Sequence, residues 1–185
     1  MAFVHQLWLP ILLSALFVFI TSAAFWMVAP HHQNEWGKLP SQDAVLGALR
    51  AQPAVPGLYT LPGVNDPAER KDPAWRADVD RGPVAYVTLR PGGMPNMGAS
   101  MAKSLLGNVV VSLFCAYVAS HALAPDAGYL QVFRIVGACG FMSYALASLQ
   151  DSVWFGRPWS SFGKQCFDAL VFGCLMGGTF GWLWR

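Results

Sequence analysis

The chain has 185 residues, of which 55% are hydrophobic, 14% aromatic and only 12% charged, against roughly 25% charged in soluble domains. Twelve Lys and Arg against ten Asp and Glu leave a formal charge of +2, without the basic stripe that nucleic-acid binding needs, so that partner class is excluded. Cys115, Cys139, Cys166 and Cys174 all lie in apolar stretches without C-x-x-C spacing, which argues against a disulfide framework and a zinc ribbon.

The apolar residues gather in four blocks, and a block of about 20 residues rising ~1.5 Å per residue covers a hydrocarbon core of ~30 Å. The sequence therefore predicts an all-α integral membrane protein with four transmembrane helices and a Pro-rich polar loop of about seventy residues between helices 1 and 2. The first span, 7–28, carries no charge, and Pro10 falls in its first turn. Ser22-Ala23-Ala24 resembles a signal-peptidase site, but no Lys or Arg precedes the apolar run and it continues through Val28, so a retained anchor is expected.

The extramembrane loop, 29–103, holds ten of the thirteen prolines and, from Glu35 to Arg90, balances seven acids against seven bases. Within it, 41–52 reads as a short amphipathic helix capped by Ser41, with Val45, Leu46 and Leu49 on one face. Residues 57–61 and 84–89 are rich in β-formers, are bounded by Pro and Gly, and predict a small two-stranded element. The charged stretch 64–82 has too little apolar content for a core and is expected to be mobile or ordered by a partner.

The second span, 104–123, and the third, 129–149, are separated by five residues and form a helical hairpin. The fourth, 166–184, ends in the interfacial anchor Trp182, Trp184 and Arg185. Four spans place both termini on one side. Near the span ends Lys38, Lys103, Arg157 and Lys164 face Arg134 and Arg185 on the opposite side, which directs the 29–103 loop to the cytoplasm.

Helices in lipid associate through small residues that let backbones approach. Ala169, Gly173, Gly177 and Gly181 form such a ridge on span four, Cys139, Ser143 and Ala147 on span three, and Ser112, Ala116 and Ser120 on span two, so these ridges are the expected packing seams. A second stripe on span two, Ser104, Asn108, Ser112, Cys115 and Ala119, is expected to face protein. Asn108, His121, Arg134 and Asp168 are the intramembrane polar residues, and each is a functional candidate by default. Asn108 and Asp168 come at similar depth and are expected to pair. Both Arg134 and Asp168 are shallow enough to snorkel or pair at the interface, which is favoured over an ion or proton pathway.

His31, His32 and Glu35 directly follow span one, and two imidazoles with a carboxylate suit a divalent transition metal. Met94, Met97 and Met101 precede span two, and their thioethers suit Cu(I), although methionines also fill uneven packing. Haem ligation by His5 and His121 has no spacing to support it. Neither a nucleophile elbow nor a phosphate loop nor a paired-carboxylate motif is present, so no catalytic residue is assigned.

His31-His32-x-x-Glu35-Trp36-x-x-Leu39-Pro40, Pro56-Gly57-x-Tyr59-x-x-Pro62, Gly82-Pro83-Val84, Trp154-Phe155-Gly156-Arg157-Pro158-Trp159 and the ending from Gly178 to Trp184 together resemble a family of small four-span bacterial membrane proteins without assigned activity. The resemblance implies a bacterial inner-membrane setting and architecture, and no reaction. The expected role is a non-catalytic scaffold or accessory subunit of a membrane complex, with the lipid bilayer and a membrane-protein partner or a second copy as its partners. The alternatives are a copper-type metal-handling protein, with a transition metal as its only cofactor, and a small oligomeric transporter or channel.

Overall fold

Helical periodicity and apolar content determine most of this molecule, whose computed structural model describes residues 2–52 and 55–184. Arg185, expected as part of the terminal anchor, lies outside the described residues. Among the described residues four helices are long and apolar enough to cross a membrane: α1 (Ala2–Met27), and, after the intervening segment, Met97–Ala122, Tyr129–Phe155 and Trp159–Leu183.

The expected seventy-residue polar loop is not borne out. Only a short gap, carrying the 3-10 turn Pro30–His32, separates α1 from the next helix, α2 (Gln42–Ala51). After α2 come β1 (Gly57–Leu61), a 3-10 turn Pro67–Lys71, α3 (Pro73–Arg81) and β2 (Ala85–Leu89). The four membrane-length helices are thus α1, α4 (Met97–Ala122), α5 (Tyr129–Phe155) and α6 (Trp159–Leu183).

All four helices extend past the apolar blocks at one end, because backbone signals, and not hydropathy, end a helix. Asn96 caps α4 by accepting from Ala99 N at 3.0 Å, well before the apolar run at 104. Gly156, with φ of +67° in the left-handed region, ends α5, and Pro158 starts α6 two residues later. A side chain at 156 would be strained in that conformation, and Pro cannot continue the preceding helix. The charges Asp151 and Lys164 therefore lie within helices. Pro10 sits inside α1, because the helix begins at Ala2 rather than at Leu7.

The chain forms two compact units, 1–37 with 95–185, and 38–94. In the first, α1 packs on α4 and α6, and α5 packs on α4 and α6, which closes a ring of four helices. Its core is Leu7, Ile11 and Val18 from α1, Cys115, Ala116 and Ala119 from α4, Val132 and Val136 from α5, and Phe172, Met176 and Phe180 from α6. The α5–α6 seam is backbone against backbone. A Cβ on Gly173 would lie 2.6 Å from the Gly137 carbonyl oxygen, and one on Gly177 would lie 2.7 Å from that of Phe133. The glycine ridge of α6 is therefore spent inside this chain, where close approach takes the place of the absent hydrophobic drive.

Its counterpart on α5 is not the expected one. Gly137 and Gly140 meet α6, whereas Ser143 and Ala147 face outward, and the Ser143 hydroxyl satisfies itself on the Cys139 carbonyl at 2.8 Å. On α4, Asn108, Ser112, Cys115, Ala116 and Ala119 are buried while Ser104 is exposed. Ser112 Oγ lies 2.6 Å from Ser14 Oγ, a hydrogen bond from α4 to α1 in the middle of both helices.

In the second unit β1 and β2 pair antiparallel, Tyr59 opposite Val87. Ala48 and Leu49 of α2, with Gln52 just after it, line a cleft of about 520 Å³ together with Tyr59, Leu61, Val87 and Leu89 of the hairpin. Ser41 stands before α2 but makes no side-chain cap, so the expected capping bond is absent there. The stretch 64–82, expected to be mobile, contains two helical elements started by local hydrogen bonds. Asp66 and Glu69 form a reciprocal capping box, and Asp72 accepts from Ala74 N at 2.8 Å with Pro73 in the first helical position. Caps of this kind satisfy orphan amides without any core.

Candidate functional site

The polar centre of the first unit is assembled from the chain just after α1, from α6, and from the turn between α5 and α6. Pro30 fixes the first φ of a 3-10 turn, and that turn carries His31 and His32 toward α6. Trp26, at the end of α1, stacks flat on the His32 ring at 4.2 Å and 2°, while Phe25 meets the edge of His31 at 5.2 Å. Aromatic packing of this kind restricts both imidazoles to one orientation.

Asp168 is the acceptor at the centre. Its Oδ1 lies 2.9 Å from His31 Nε2 and its Oδ2 lies 2.7 Å from His32 Nε2. The other His32 nitrogen, Nδ1, is 2.6 Å from Glu35 Oε1, and the second Glu35 oxygen accepts from Arg157 at 3.1 Å. Arg157 also approaches Asp151 at 3.8 Å. The side chains of Asp168, His32 and Glu35 are 1%, 2% and 3% exposed, while that of His31 is 27% exposed and forms the accessible side. Burial alone would raise the Glu35 pKa, but the hydrogen bonds from His32 and Arg157 outweigh it and hold the carboxyl below its ordinary value.

Because α6 begins at Trp159, Asp168 stands nine residues along it, roughly 13 Å from its first residue. A buried carboxylate at that depth requires partners, and the His pair supplies them across 136 residues of sequence. The expected Asn108–Asp168 hydrogen bond is not formed. Asn108 Oδ1 instead accepts from Tyr144 of α5 at 3.0 Å, which leaves Asp168 to the histidines.

The remaining candidates stay apart from this centre. Met97 and Met101 line a groove between α1 and α4 with Trp26 and Met27, and Met94 in the other unit is 95% exposed. Arg134 is exposed in a shallow cleft on α5 and α6 beside Gly137 and Gly173. His121, exposed near the end of α4, has Nδ1 2.8 Å from the Tyr117 carbonyl of its own helix. Ala169 and Gly173 are buried in the helix seam, and Gly181 is packed against the Tyr129 ring.

Sequence reading finds His31, His32 and Glu35 from their spacing but misses their conjunction with Asp168 and the bond from Arg157 to Glu35. Two signals point there: an acid inside an apolar block, which must be paired, and a cation at a sharp Gly-Arg-Pro turn. Ser14 and Tyr144 carry no comparable signal, because a lone hydroxyl in an apolar run is common.

The four membrane-length helices and their apolar exterior define a multi-pass membrane protein. The chain matches no protein-family model, no curated protein and no solved structure.

Proposed function

We propose that the protein is a non-catalytic scaffold or accessory subunit of a membrane complex, set in a bacterial inner membrane with the 29–103 segment on the cytoplasmic side. The observation that carries this reading is the closure of the bundle. Its α5–α6 seam is in backbone contact, its core is apolar, and its most buried acid is consumed by two histidines. A conduction path needs polar groups lining a continuous lumen, and in this bundle Arg134 is on the outer surface while Asp168 is closed in. The 38–94 unit adds a folded module with an apolar cleft, the form of surface a partner segment fills.

Two measurements test this. Proteoliposomes containing the purified chain are expected to release ions and small solutes no faster than empty vesicles. A photo-crosslinker at Leu49 or Val87, in native membranes, is expected to give one discrete adduct that the same group at Arg81 does not. Protein-dependent flux, or identical labelling at the cleft and at Arg81, would contradict the reading.

A further inference from the structure

We propose that His31, His32 and Asp168 bind one divalent transition ion of borderline softness, of the Zn(II) or Co(II) class, with Glu35 and Arg157 as the groups that orient the ligands. The starting point is a count of hydrogens. A neutral imidazole has one N–H, and Glu35 Oε1, 2.6 Å from His32 Nδ1, is positioned to take it. His32 Nε2 then points a lone pair at Asp168 Oδ2 from 2.7 Å. That short contact is bridged either by a second proton on His32 or by a metal ion in the proton's place, and His31 Nε2 brings a third ligand atom to the same carboxylate at 2.9 Å.

One ligand atom from each of His31, His32 and Asp168 lies within 4.8 Å of the others. Ligands around a tetrahedral ion with bonds of ~2.0–2.1 Å stand roughly 3.3 Å apart, so each His–Asp168 contact, now 2.9 and 2.7 Å, needs to open by only about half an ångström. Imidazole and carboxylate donors, without thiolate or thioether, select Zn(II) and its neighbours over Cu(I). Three protein ligands leave one coordination position open, and the exposed edge of His31 gives access to it.

Glu35 is not a ligand in this arrangement, because both of its oxygens are occupied, one by His32 and one by Arg157. A carboxylate on the far nitrogen of a ligating histidine fixes the tautomer and ring orientation, and its loss typically costs ~10–100-fold in metal affinity. Trp26 stacked on the His32 ring restrains the same orientation from the side. Bound here, the ion ties the chain leaving α1 to α6.

The test uses the untagged full chain in detergent, stripped with a chelator and titrated with Co(II) and then with Zn(II). The expected result is about one equivalent of Co(II), visible as ligand-field absorption that Zn(II) abolishes. Asp168→Asn, which keeps the shape of the side chain, and His31→Ala, at the exposed edge, are each expected to weaken binding by more than ~100-fold, beyond the second-shell range. Glu35→Gln is expected to lose ~10–100-fold while keeping the wild-type absorption band. Circular dichroism of each variant separates loss of ligand from loss of fold, and His31→Ala stands as the decisive variant if Asp168→Asn is misfolded. Failure of the wild-type chain to take up either ion, or unchanged binding in His31→Ala, would overturn the proposal and leave the cluster as a proton-bridged ion network.

Discussion

The two units of this chain are stabilised in opposite ways. The helical bundle puts its small residues where backbones touch and pairs its buried polar groups with one another: Asp168 with His31 and His32, Asn108 with Tyr144, and Ser14 with Ser112. The 38–94 unit has no buried residue in α2 or α3 and relies on caps, turns and one hairpin. A two-stranded hairpin is marginal by itself in water, so this unit draws on its local hydrogen bonds. Packing precision is needed where lipid supplies no hydrophobic drive, and polar self-satisfaction suffices where water surrounds the backbone.

Substitutions should separate the two regimes, and the largest effect belongs to the buried acid. Asp168→Ala leaves His31 and His32 without their shared acceptor and is expected to destabilise the bundle by ~3–5 kcal/mol, read by denaturation in detergent. A loss below ~1 kcal/mol would mean that the network is not held together in the folded state. Next comes Gly173→Ala, whose Cβ meets a carbonyl oxygen at 2.6 Å. Overpacking there is expected to cost ~1–3 kcal/mol, and an unchanged midpoint would show that α5 and α6 do not touch as described.

Smaller effects sharpen the contrast. Asp72→Ala removes the cap of α3 and is expected to cost about 1 kcal/mol locally, seen as faster amide exchange across 73–81 with the bundle unaffected. Ser112→Ala removes the α1–α4 hydrogen bond and is expected to cost ~0.6 kcal/mol, the average for such bonds in membrane helices. Arg81→Ala breaks an exposed pair with Asp78 at 3.3 Å and should leave stability unchanged, because such pairs contribute little.

How far the sequence foretells this structure follows from the range of the forces involved. Apolar runs show where the four long helices lie, because burial in lipid depends on composition over ~20 residues. Their ends are set by single residues, Asn96, Gly156 and Pro158, which an apolar window averages away. The glycine ridge of α6 is legible as a seam, but its partner face on α5 is not, since Gly137 and Gly140 compete with Cys139, Ser143 and Ala147 as small-residue faces. His31, His32 and Glu35 are legible as a cluster because they are neighbours. Asp168 is legible only as an acid in need of a partner, and which partner depends on α6 packing beside α1, a fact of tertiary arrangement. The folded elements in 64–82 are hidden by low apolar content, although Asp66, Glu69, Asp72 and Pro73 spell their caps locally.

The central claim is that His31, His32, Asp168, Glu35 and Arg157 act as one connected network joining the chain after α1 to α6. A double-mutant cycle between His32→Ala and Asp168→Asn, measured by denaturation of chelator-treated protein in detergent, tests it most directly. The account predicts a coupling energy in the ~0.5–3 kcal/mol range found for residues in contact. Additivity of the two substitutions to within ~0.3 kcal/mol would contradict it.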